Sequence, residues 1–353
     1  MSKIDIRSLS LEQIENEFNK IGLPRFRASQ VFDWLQNKGV MSFDEMTNLS
    51  KQLRSQLDES FEIKTCIIKR KLVSSIDGTV KYLFEFKDKS TVESVVMKYK
   101  YGYSICISTQ VGCKMGCSFC ASAIGGFCRN LTPSEMLCEV LAAQRDLNIK
   151  VSHIVLMGTG EPLDNYDNVL SFLRLVTDEK GQNLSMRHIS LSTCGLVERI
   201  YELADENLQL TLSVSLHAPN DEIRQRTMPV AKKYGIDEVL KACKYYADKT
   251  KRRISFEYAM IKGINDSEEN ANELCRRLKG ILCHINLIPV NEIKERDYKK
   301  SDADSLKRFV SVCEKNGFAV TVRRTLGSDI NASCGQLRQS ASENGVKNRE
   351  NCC

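Results

Sequence analysis

The sequence lacks the features that mark membrane and secreted proteins. No apolar run reaches the roughly 18 residues that a membrane-spanning helix needs, although 42% of the 353 residues are hydrophobic. The first residues, Met1 to Arg7, are too charged for the apolar core of a secretory signal. We therefore expect a folded cytoplasmic protein that does not enter a membrane.

A strong excess of one charge is also missing. The formal net charge is +6 and the pI is near 8.5. This mild positive balance favours a polyanionic partner, but it falls well short of the dense basic surface that would by itself indicate nucleic-acid binding. The charge therefore leaves the partner open.

Cysteine, by contrast, is abundant, with 15 residues. In a secreted protein so many cysteines would predict a disulfide framework. In a reducing cytosol they are more often buried apolar residues, metal ligands or catalytic thiols. The spacing of the cysteines has to decide between these uses.

The chain begins with a helical pattern. Residues 9–59 are amphipathic with a helical period and are broken at Gly22–Pro24 and Lys38–Gly39, which predicts a small helical unit. Its middle, Arg25–Trp34, mixes basic and aromatic side chains. These could contact RNA through phosphates and base stacking, or the aromatic residues could face a core. Both interpretations stay open.

The residue pattern changes after the helical unit. Residues 64–101 are β-rich with turn signals at Ile76–Gly78 and Asp88–Ser90, which predicts a short antiparallel meander leading into the next domain. From Tyr103 onward, strand-like and helix-like segments alternate in six units. This alternation predicts parallel strands with crossover helices, as an open barrel or a doubly wound sheet. In such folds the reactive groups gather at the carboxyl ends of the strands.

The predicted elements of this second part can be placed residue by residue. The predicted strands are Ile105–Thr109, His153–Gly158, His188–Thr193, Gln209–Leu216, Ile254–Met260 and Ile285–Pro289. The predicted helices between and after them are Pro133–Leu147, Asn168–Val176, Val197–Glu206, Ile236–Ala247, Glu268–Lys279 and Ala303–Asn316, followed by a last strand at Phe318–Arg324.

Directly after the first of these strands, Cys113–Cys120 has the spacing C-x₃-C-x₂-C. Three thiolates from one short loop can bind three irons of a four-iron cluster and leave the fourth iron open. A structural zinc site would need a fourth ligand such as Cys128. A thioredoxin-like pair of Cys117 and Cys120 would leave Cys113 unexplained. We therefore favour an iron–sulfur cluster held by Cys113, Cys117 and Cys120.

The cysteine loop, with an aromatic residue before its last cysteine, resembles the radical S-adenosylmethionine (SAM) superfamily. The resemblance implies an α/β fold, a partial (β/α)₆ barrel with a small N-terminal helical domain and a short antiparallel β extension. It also implies a [4Fe-4S] cluster whose open iron is chelated by SAM. Gly158–Pro162, after the second strand, matches the segment that holds the SAM amino group. The implied SAM-binding residues are Gly160, Glu161, Ser192, Ser215, Leu216, His217 and Asn291.

A narrower resemblance covers the chain from its first residues to about Leu337. The segments Ile105–Cys113, Gly158–Pro162, Ser215–Asn220 and Asp329–Leu337 together resemble the RlmN-type RNA adenine methyltransferases. The resemblance implies methylation of adenine C2 in 23S rRNA and in tRNA. That carbon is electrophilic and a poor target for a sulfonium methyl group, so the implied path is a radical one.

The same resemblance implies three catalytic residues. Cys334 would first be methylated on sulfur and would then carry the carbon to the adenine. Cys106 would be the thiol that resolves the resulting protein–RNA bond, and Glu93 would accept the C2 proton. By its strand pattern alone, Glu93 would be an exposed carboxylate.

The resemblance also implies partners and a domain plan. We expect an electron donor such as flavodoxin or ferredoxin, and a monomer. The expected divisions are an RNA-binding helical domain at 1–63, the β extension at 64–101, the barrel with the catalytic-cysteine loop at 102–337, and a polar tail at 338–353.

Three other functions remain to be weighed. A Cfr-type enzyme would methylate C8 with the same cysteines, but Gly160–Pro162, Ser215–Ala218 and Arg323–Gly327 look more RlmN-like. A non-enzymatic RNA-binding or iron-sensing protein would not cleave SAM. A radical SAM enzyme for a peptide or small metabolite would not need the cysteine pair. Departures from the best-known members, at Lys114–Gly116 and Asn291–Glu292, leave the shape of the RNA-binding loops open.

Overall fold

A small helical unit opens the chain in the computed structural model, which describes residues 3–291 and 296–332. Two of its three helices begin at side-chain caps, because Ser10 and Ser50 each accept a backbone N–H at a helix start. The unit has a hydrophobic cluster of its own, which includes Phe18, Phe32 and Leu57. Its elements are β1 (Ile4–Asp5), α1 (Leu11–Lys20), α2 (Arg25–Gln36), α3 (Lys51–Ser60) and β2 (Phe61–Glu62).

Helix α2 divides its aromatic residues between core and surface. Phe32 is buried in the cluster of the helical unit, whereas Phe26 is 56% exposed. The guanidinium of Arg27 lies 4.8 Å from the centre of the Phe26 ring. The core interpretation therefore holds for Phe32, and Phe26 with Arg27 stays available at the surface.

The rest of the described chain is built on one ten-stranded sheet, in the order β14-β13-β12-β11-β10-β9-β6-β5-β4-β3, with β7 and β8 forming a separate pair. The strands are β3 (Cys66–Val73), β4 (Val80–Phe86), β5 (Thr91–Tyr99), β6 (Gly102–Cys106), β7 (Gln110–Gly112), β8 (Phe127–Asn130), β9 (Val151–Leu156), β10 (Ile189–Thr193), β11 (Thr211–Ser215), β12 (Ile254–Met260), β13 (Cys283–Pro289) and β14 (Val320–Val322).

The sheet has an antiparallel half and a parallel half. Strands β3 to β6 pair antiparallel, as the predicted meander requires. Strand β6 then pairs parallel with β9, and the parallel pairing continues to β14. Strand β6 is therefore the seam strand, with an antiparallel neighbour on one side and a parallel neighbour on the other.

Helices connect the parallel strands, as the strand–helix alternation predicts. Helix α4 and strand β12 span the predicted residues, and most other ends differ by one to three residues. The helices are α4 (Pro133–Leu147), α5 (Tyr166–Thr177), α6 (Val197–Asp205), α7 (Asp221–Thr227), α8 (Ile236–Thr250), α9 (Glu268–Leu278) and α10 (Ala303–Lys315). No helix of the described residues is both long and apolar enough to span a bilayer.

The seam strand ends earlier than its sequence predicts. The strand was expected to run to Thr109, but β6 ends at Cys106. The cause is local, because the amides of Thr109 and Gln110 both donate to one oxygen, the Thr159 carbonyl, and the regular ladder stops. Similarly, β14 is shorter than the predicted strand Phe318–Arg324. The polar tail after Leu337 lies outside the described residues.

Candidate active site

The parallel strands alternate between apolar and polar residues, which is unusual for strands covered on both faces. Residues such as Ile154, Leu191 and Phe256 are buried against the helices. The opposite face carries hydroxyl, carboxyl and amide groups in register. We call this the polar face of the sheet: Ser190, Ser192, Ser213, Ser215, Ser255, Glu257 and Asn286.

The polar face continues across the seam strand. Cys106 pairs with Val155 of β9 and with Val95 of β5, so its side chain lies on the same face. Glu93 is two residues from Val95 and therefore also points to this face. Strand register thus brings side chains from the antiparallel half onto one surface with those of the parallel strands, although they are far apart in the sequence.

The cysteine loop joins β7 and β8, which hold its two ends together. Gly112 is required at the entry, because a Cβ there would lie 1.8 Å from the Gly126 carbonyl oxygen. Within the loop, the Ser118 amide donates to the Thr227 carbonyl at the end of α7, at 2.8 Å. The loop is therefore tied both to its own base and to the parallel half of the sheet.

The three cysteines of this loop are partly buried and affect one another electrostatically. Burial, with smaller contributions from the negative charges of Cys120 and Glu161, raises the pKa of Cys113 to about 11. Burial and the same neighbours also raise the pKa of Cys117. Thiols held this way need a cationic group to become thiolates, which suits iron–sulfur ligation. Among the described residues, no group of three His, Cys, Asp or Glu side chains is close enough together to hold a metal ion.

The segment after β9 lies directly against the entry of the cysteine loop. Gly160 has a φ of +109°, and a Cβ there would lie 2.6 Å from the Gln110 Cβ. The Gln110 side chain accepts from the Glu161 amide at 2.9 Å and donates to Asp164 at 2.8 Å. Lys114, one of the departures noted in the sequence, pairs with Asp164 at 2.6 Å. The two predicted motifs are therefore joined side by side.

Glu161 is almost fully buried, and the protein already uses both of its carboxylate oxygens. One accepts from the Cys194 amide at 2.7 Å and the other from the Leu163 amide at 3.1 Å. Burial raises the pKa of Glu161, and these hydrogen bonds oppose the rise. The carboxylate thus connects the loops after β9 and β10, whatever further contact it makes.

His217 follows β11 in a left-handed conformation with a φ of +55°. Its Nδ1 accepts from the Ala259 amide at 2.9 Å, so the ring proton lies on Nε2. Burial and nearby Arg224 lower the pKa of His217 to about 3, which keeps the ring neutral. The ring of Phe119, in the cysteine loop, packs edge-on against it at 4.9 Å.

The other predicted SAM-binding residues differ in their surroundings. Ser192 and Ser215 lie on the polar face and are partly exposed. Leu216 is fully buried, and its amide donates to the Glu257 carbonyl at 3.1 Å. Asn291 is exposed at the end of β13, next to residues outside the described part. The structure thus gathers most of this set at one end of the parallel strands.

Glu93 is 4% exposed, so the exposed-carboxylate interpretation of its strand pattern is wrong. Its carboxylate lies 3.5 Å from the Lys81 Nζ. Its backbone carbonyl accepts from the Ser108 hydroxyl at 2.8 Å, which ties β5 to the loop that leads to the cluster cysteines. Cys106 is also buried, and Cys334 lies outside the described residues.

Sequence reasoning missed three buried charged groups around this site. Lys81 on β4 reaches Glu93. Glu257 on the polar face accepts from Ser255 at 2.9 Å and from Asn286 at 2.7 Å, and burial raises its pKa. Arg224 donates to the Cys194 carbonyl at 2.7 Å near the cysteine loop. A charged residue inside an apolar strand, as in Phe256-Glu257-Tyr258, was the available signal.

Comparisons with known proteins agree with this geometry. Residues 107–275 match the family model of the radical SAM superfamily. Residues 4–63 match the model of the ribosomal RNA large subunit methyltransferase N-terminal domain. The crystal structure of a radical SAM methyltransferase from Sphaerobacter thermophilus has a TM-score of 0.90 and 40% identity, covering 94% of this chain and 98% of its own. The expected α/β radical SAM fold is confirmed.

Curated relatives are similar over nearly the whole length. A probable dual-specificity RNA methyltransferase RlmN from Alkaliphilus oremlandii is 55% identical over 98% of this chain and 100% of the relative. A protein of the same description from Clostridium novyi is 53% identical over 95% of this chain and 98% of the relative. This similarity supports RlmN-type rather than Cfr-type chemistry, with dependence on SAM and an iron–sulfur cluster following from the superfamily. The chain therefore belongs to the RlmN family of radical SAM RNA methyltransferases.

Proposed function

We propose that this enzyme methylates C2 of adenine in 23S rRNA and in tRNA, with Cys334 as the carrier of the methyl carbon. The observation that carries the proposal is the register of the seam strand. It sets Cys106 and Glu93 on the same face of the sheet as the polar side chains of the parallel half. A proton acceptor, a thiol and a cofactor pocket on one surface are what this reaction needs.

The proposed cofactors are a [4Fe-4S] cluster on Cys113, Cys117 and Cys120, and SAM. When bound, they would supply one-electron reduction of the sulfonium to methionine and a 5′-deoxyadenosyl radical. Residues at the carboxyl ends of β10 and β11, and on the loops after β9, β11 and β13, would orient SAM. The proposed SAM-binding set is Gly160, Glu161, Ser192, Ser215, Leu216, His217 and Asn291.

Cys334, Cys106 and Glu93 would carry out the remaining steps of the reaction. Cys334, methylated on sulfur, would lose a hydrogen atom from that methyl group to the 5′-deoxyadenosyl radical, and the resulting carbon radical would bond to adenine C2. The radical adduct would then return one electron to the oxidised iron–sulfur cluster, and its C2 proton would pass to Glu93. The Cys106 thiolate attacks the Cys334 sulfur, which breaks the sulfur–carbon bond. The released carbon takes a proton from water to become methyl, and a disulfide remains for reduction.

The partners follow from this chemistry. RNA is the substrate class of the family, and we infer 23S rRNA and tRNA as the substrates, in the cytoplasm. The electrons would come from a donor such as flavodoxin or ferredoxin. We further propose a monomer, with residues 1–63 as an RNA-binding domain, in which Phe26 and Arg27 offer an exposed aromatic and cationic pair. The proposed barrel spans 102–337, between the 64–101 extension and a 338–353 tail.

Nucleoside analysis tests the proposal. The reconstituted enzyme is incubated without oxygen with SAM, a reductant and unmodified 23S rRNA or tRNA, beside a Cys334→Ala variant. We expect 2-methyladenosine with the wild type and none with the variant. Formation of 8-methyladenosine would assign the Cfr-type reaction instead. If 5′-deoxyadenosine forms but neither nucleoside does, the RNA substrates proposed here are wrong.

A further inference from the structure

Lys81 is a lysine with no exposed side-chain surface, near the start of strand β4. Its ammonium contacts two separate parts of the site. It lies 3.5 Å from a carboxylate oxygen of Glu93, and it donates to the carbonyl of Asn331 at 2.7 Å. Asn331 is three residues before Cys334 in the sequence. One buried cation thus contacts both the proposed proton acceptor and the segment that leads to the methyl carrier.

A buried lysine is costly unless its charge is compensated, so its position needs a reason. The strand pattern does not explain the lysine, because Leu83, the next residue on the same face of β4, is apolar and equally well buried. The register sets Lys81 opposite Val95 and Leu83 opposite Glu93. The lysine side chain therefore has to reach diagonally across the strand pair to meet the carboxylate, as cross-strand neighbours can.

Other contacts already fix the segment Gly327–Ala332 to the turn between β3 and β4. The Gly327 amide donates to Asp77 at 2.8 Å. Asp329 accepts from the Ser74 hydroxyl at 2.6 Å and from the Ser75 amide at 2.9 Å. Since these bonds already hold the segment in place, Lys81 is not needed for that purpose alone. Among these anchors of the described chain, Lys81 is the one that also reaches Glu93.

The other titratable groups around Glu93 do not replace this cation. Cys106 pairs with Val95 and is therefore a diagonal neighbour of Glu93 on the same face. Glu139, on α4, accepts from the Ser108 amide at 3.0 Å and from the Ser94 hydroxyl. Burial raises the pKa of Glu139 well above its usual value, and a carboxyl group supplies no positive charge in either protonation state. Lys81 is thus the positive charge that faces Glu93 from the strands and helix packed around it in the described residues.

We propose that Lys81 is a positioning residue that pairs with the Glu93 carboxylate and holds it aligned with the segment Gly327–Ala332, which precedes Cys334 in the sequence, while the C2 proton is removed. The inference rests on the proposed function, in which Glu93 accepts that proton. Without the cation, a buried carboxylate favours its neutral form and cannot take up a proton. Radical formation, which takes place at the cluster, does not need Lys81.

The experiment uses the reconstituted holoenzyme, SAM, a reductant and an unmodified tRNA transcript. Lys81→Met removes the charge at similar volume, and Lys81→Arg keeps it. Lys69→Met, on the neighbouring strand β3, is the matched control, because Lys69 forms a half-exposed ion pair with Glu85. Each variant is assayed for 2-methyladenosine, 5′-deoxyadenosine and covalent protein–RNA adduct between pH 6 and pH 9.

For Lys81→Met we expect 2-methyladenosine formation to fall by about 100-fold or more at pH 7, the scale of a lost general base. The yield of 5′-deoxyadenosine should stay within about threefold of wild type, and the adduct should accumulate, because only its release is blocked. The acidic limb of the pH–rate profile should move to higher pH. Lys81→Arg should recover the rate to within about tenfold of wild type, and Lys69→Met should match wild type.

Several results would overturn the inference while leaving the proposed function standing. In each of them the wild type makes 2-methyladenosine. The inference fails if Lys81→Met keeps the wild-type rate and pH profile. It also fails if 5′-deoxyadenosine falls in equal measure, which would indicate a general structural defect. A double variant adds a last check, since Lys81→Met in a Glu93→Gln background should slow the reaction no further. If the double variant is instead slowed by the product of the two single effects, Lys81 does not act through Glu93. Failure of the wild type itself would instead refute the proposed function.

Discussion

The parallel and antiparallel halves of the sheet supply chemistry in different ways. In the parallel half, the proposed cofactor residues lie mostly on the loops after the strands, as at Gly160 and His217. In the antiparallel half, the residues proposed to handle the proton lie within the strands, as at Lys81 and Glu93. The seam strand between the halves carries Cys106. In the proposed function, radical generation therefore depends on one half of the sheet and the proton and sulfur chemistry on the other, and the two meet at the seam strand.

If the halves are separate in function, substitutions in them should stop the reaction at different steps. The largest effect is expected at the cysteine loop, which is tied to the parallel half through the Ser118–Thr227 hydrogen bond. Cys117→Ala removes one proposed cluster ligand, and we expect the yields of both 5′-deoxyadenosine and 2-methyladenosine to fall more than about 100-fold. Loss of a residue that only supports a metal ligand costs roughly 10–100-fold, so loss of the ligand itself should cost more. Iron content and the cluster absorbance are measured on the same samples. Normal 5′-deoxyadenosine formation in this variant would remove Cys117 from the cluster.

Glu93→Gln tests the antiparallel half at the step after radical formation. The amide keeps the size of the carboxylate but cannot accept the C2 proton, so methylation should fall by about 100-fold or more. Production of 5′-deoxyadenosine should continue. The measurement is the ratio of the two products, with a covalent protein–RNA species appearing on denaturing gels. Equal loss of both products would contradict a division of labour between the halves.

The two faces of the parallel half offer a comparison of stability. Leu191 is fully buried against the helices, whereas its neighbour Ser190 is partly exposed on the polar face. Leu191→Ala should lower the free energy of unfolding by about 2–5 kcal/mol. Ser190→Ala should change it by less than about 0.5 kcal/mol. Urea unfolding of both variants checks this, and similar losses would mean that the polar face is packed like a core.

The smallest effect concerns pH and the neutral ring of His217. Because burial lowers the pKa of His217 to about 3, the folded state resists protonation while the unfolded chain, near 6.5, accepts it. Stability from this residue is present above pH 6.5 and is lost as the pH falls towards 3. Between pH 7 and pH 5 the loss is about 2 kcal/mol.

His217→Asn provides the control for this dependence. The amide oxygen of asparagine can still accept the Ala259 N–H but does not titrate in this range. Urea unfolding of the cofactor-free protein at pH 7 and pH 5 should show a smaller difference in the variant. An unchanged difference would mean that other groups cause the acid loss.

The parallel half could be predicted from the sequence in detail, for physical reasons. Its strands and helices alternate, and the period of apolar residues changes clearly between them, so α4 and β12 fall on the predicted residues. The cysteine loop and Gly158–Pro162 are short, local patterns whose spacing carries their chemistry. Their direct contact through Gln110 follows from the parallel order of β6 and β9.

The antiparallel half could be predicted only as strands. The role of Lys81 depends on a hydrogen bond to Asn331, which is 250 residues away in the chain. Strand periodicity gives no information on such a contact, and it favours an exposed carboxylate at Glu93. The family resemblance indicated Glu93 and Cys106, but it did not indicate the cation that lies beside them. Buried polar pairs of this kind are set by tertiary packing rather than by local pattern.

The central claim is that Cys334, Cys106 and Glu93 act on one RNA adenine at the seam of the sheet. The most direct test is a Cys106→Ala variant incubated with SAM, a reductant and an unmodified tRNA transcript, followed by nuclease digestion and peptide mass mapping. The account predicts an adenosine joined through one carbon to Cys334, because the resolving thiol is missing. Free 2-methyladenosine at the wild-type rate, or an adduct on a different cysteine, would contradict it.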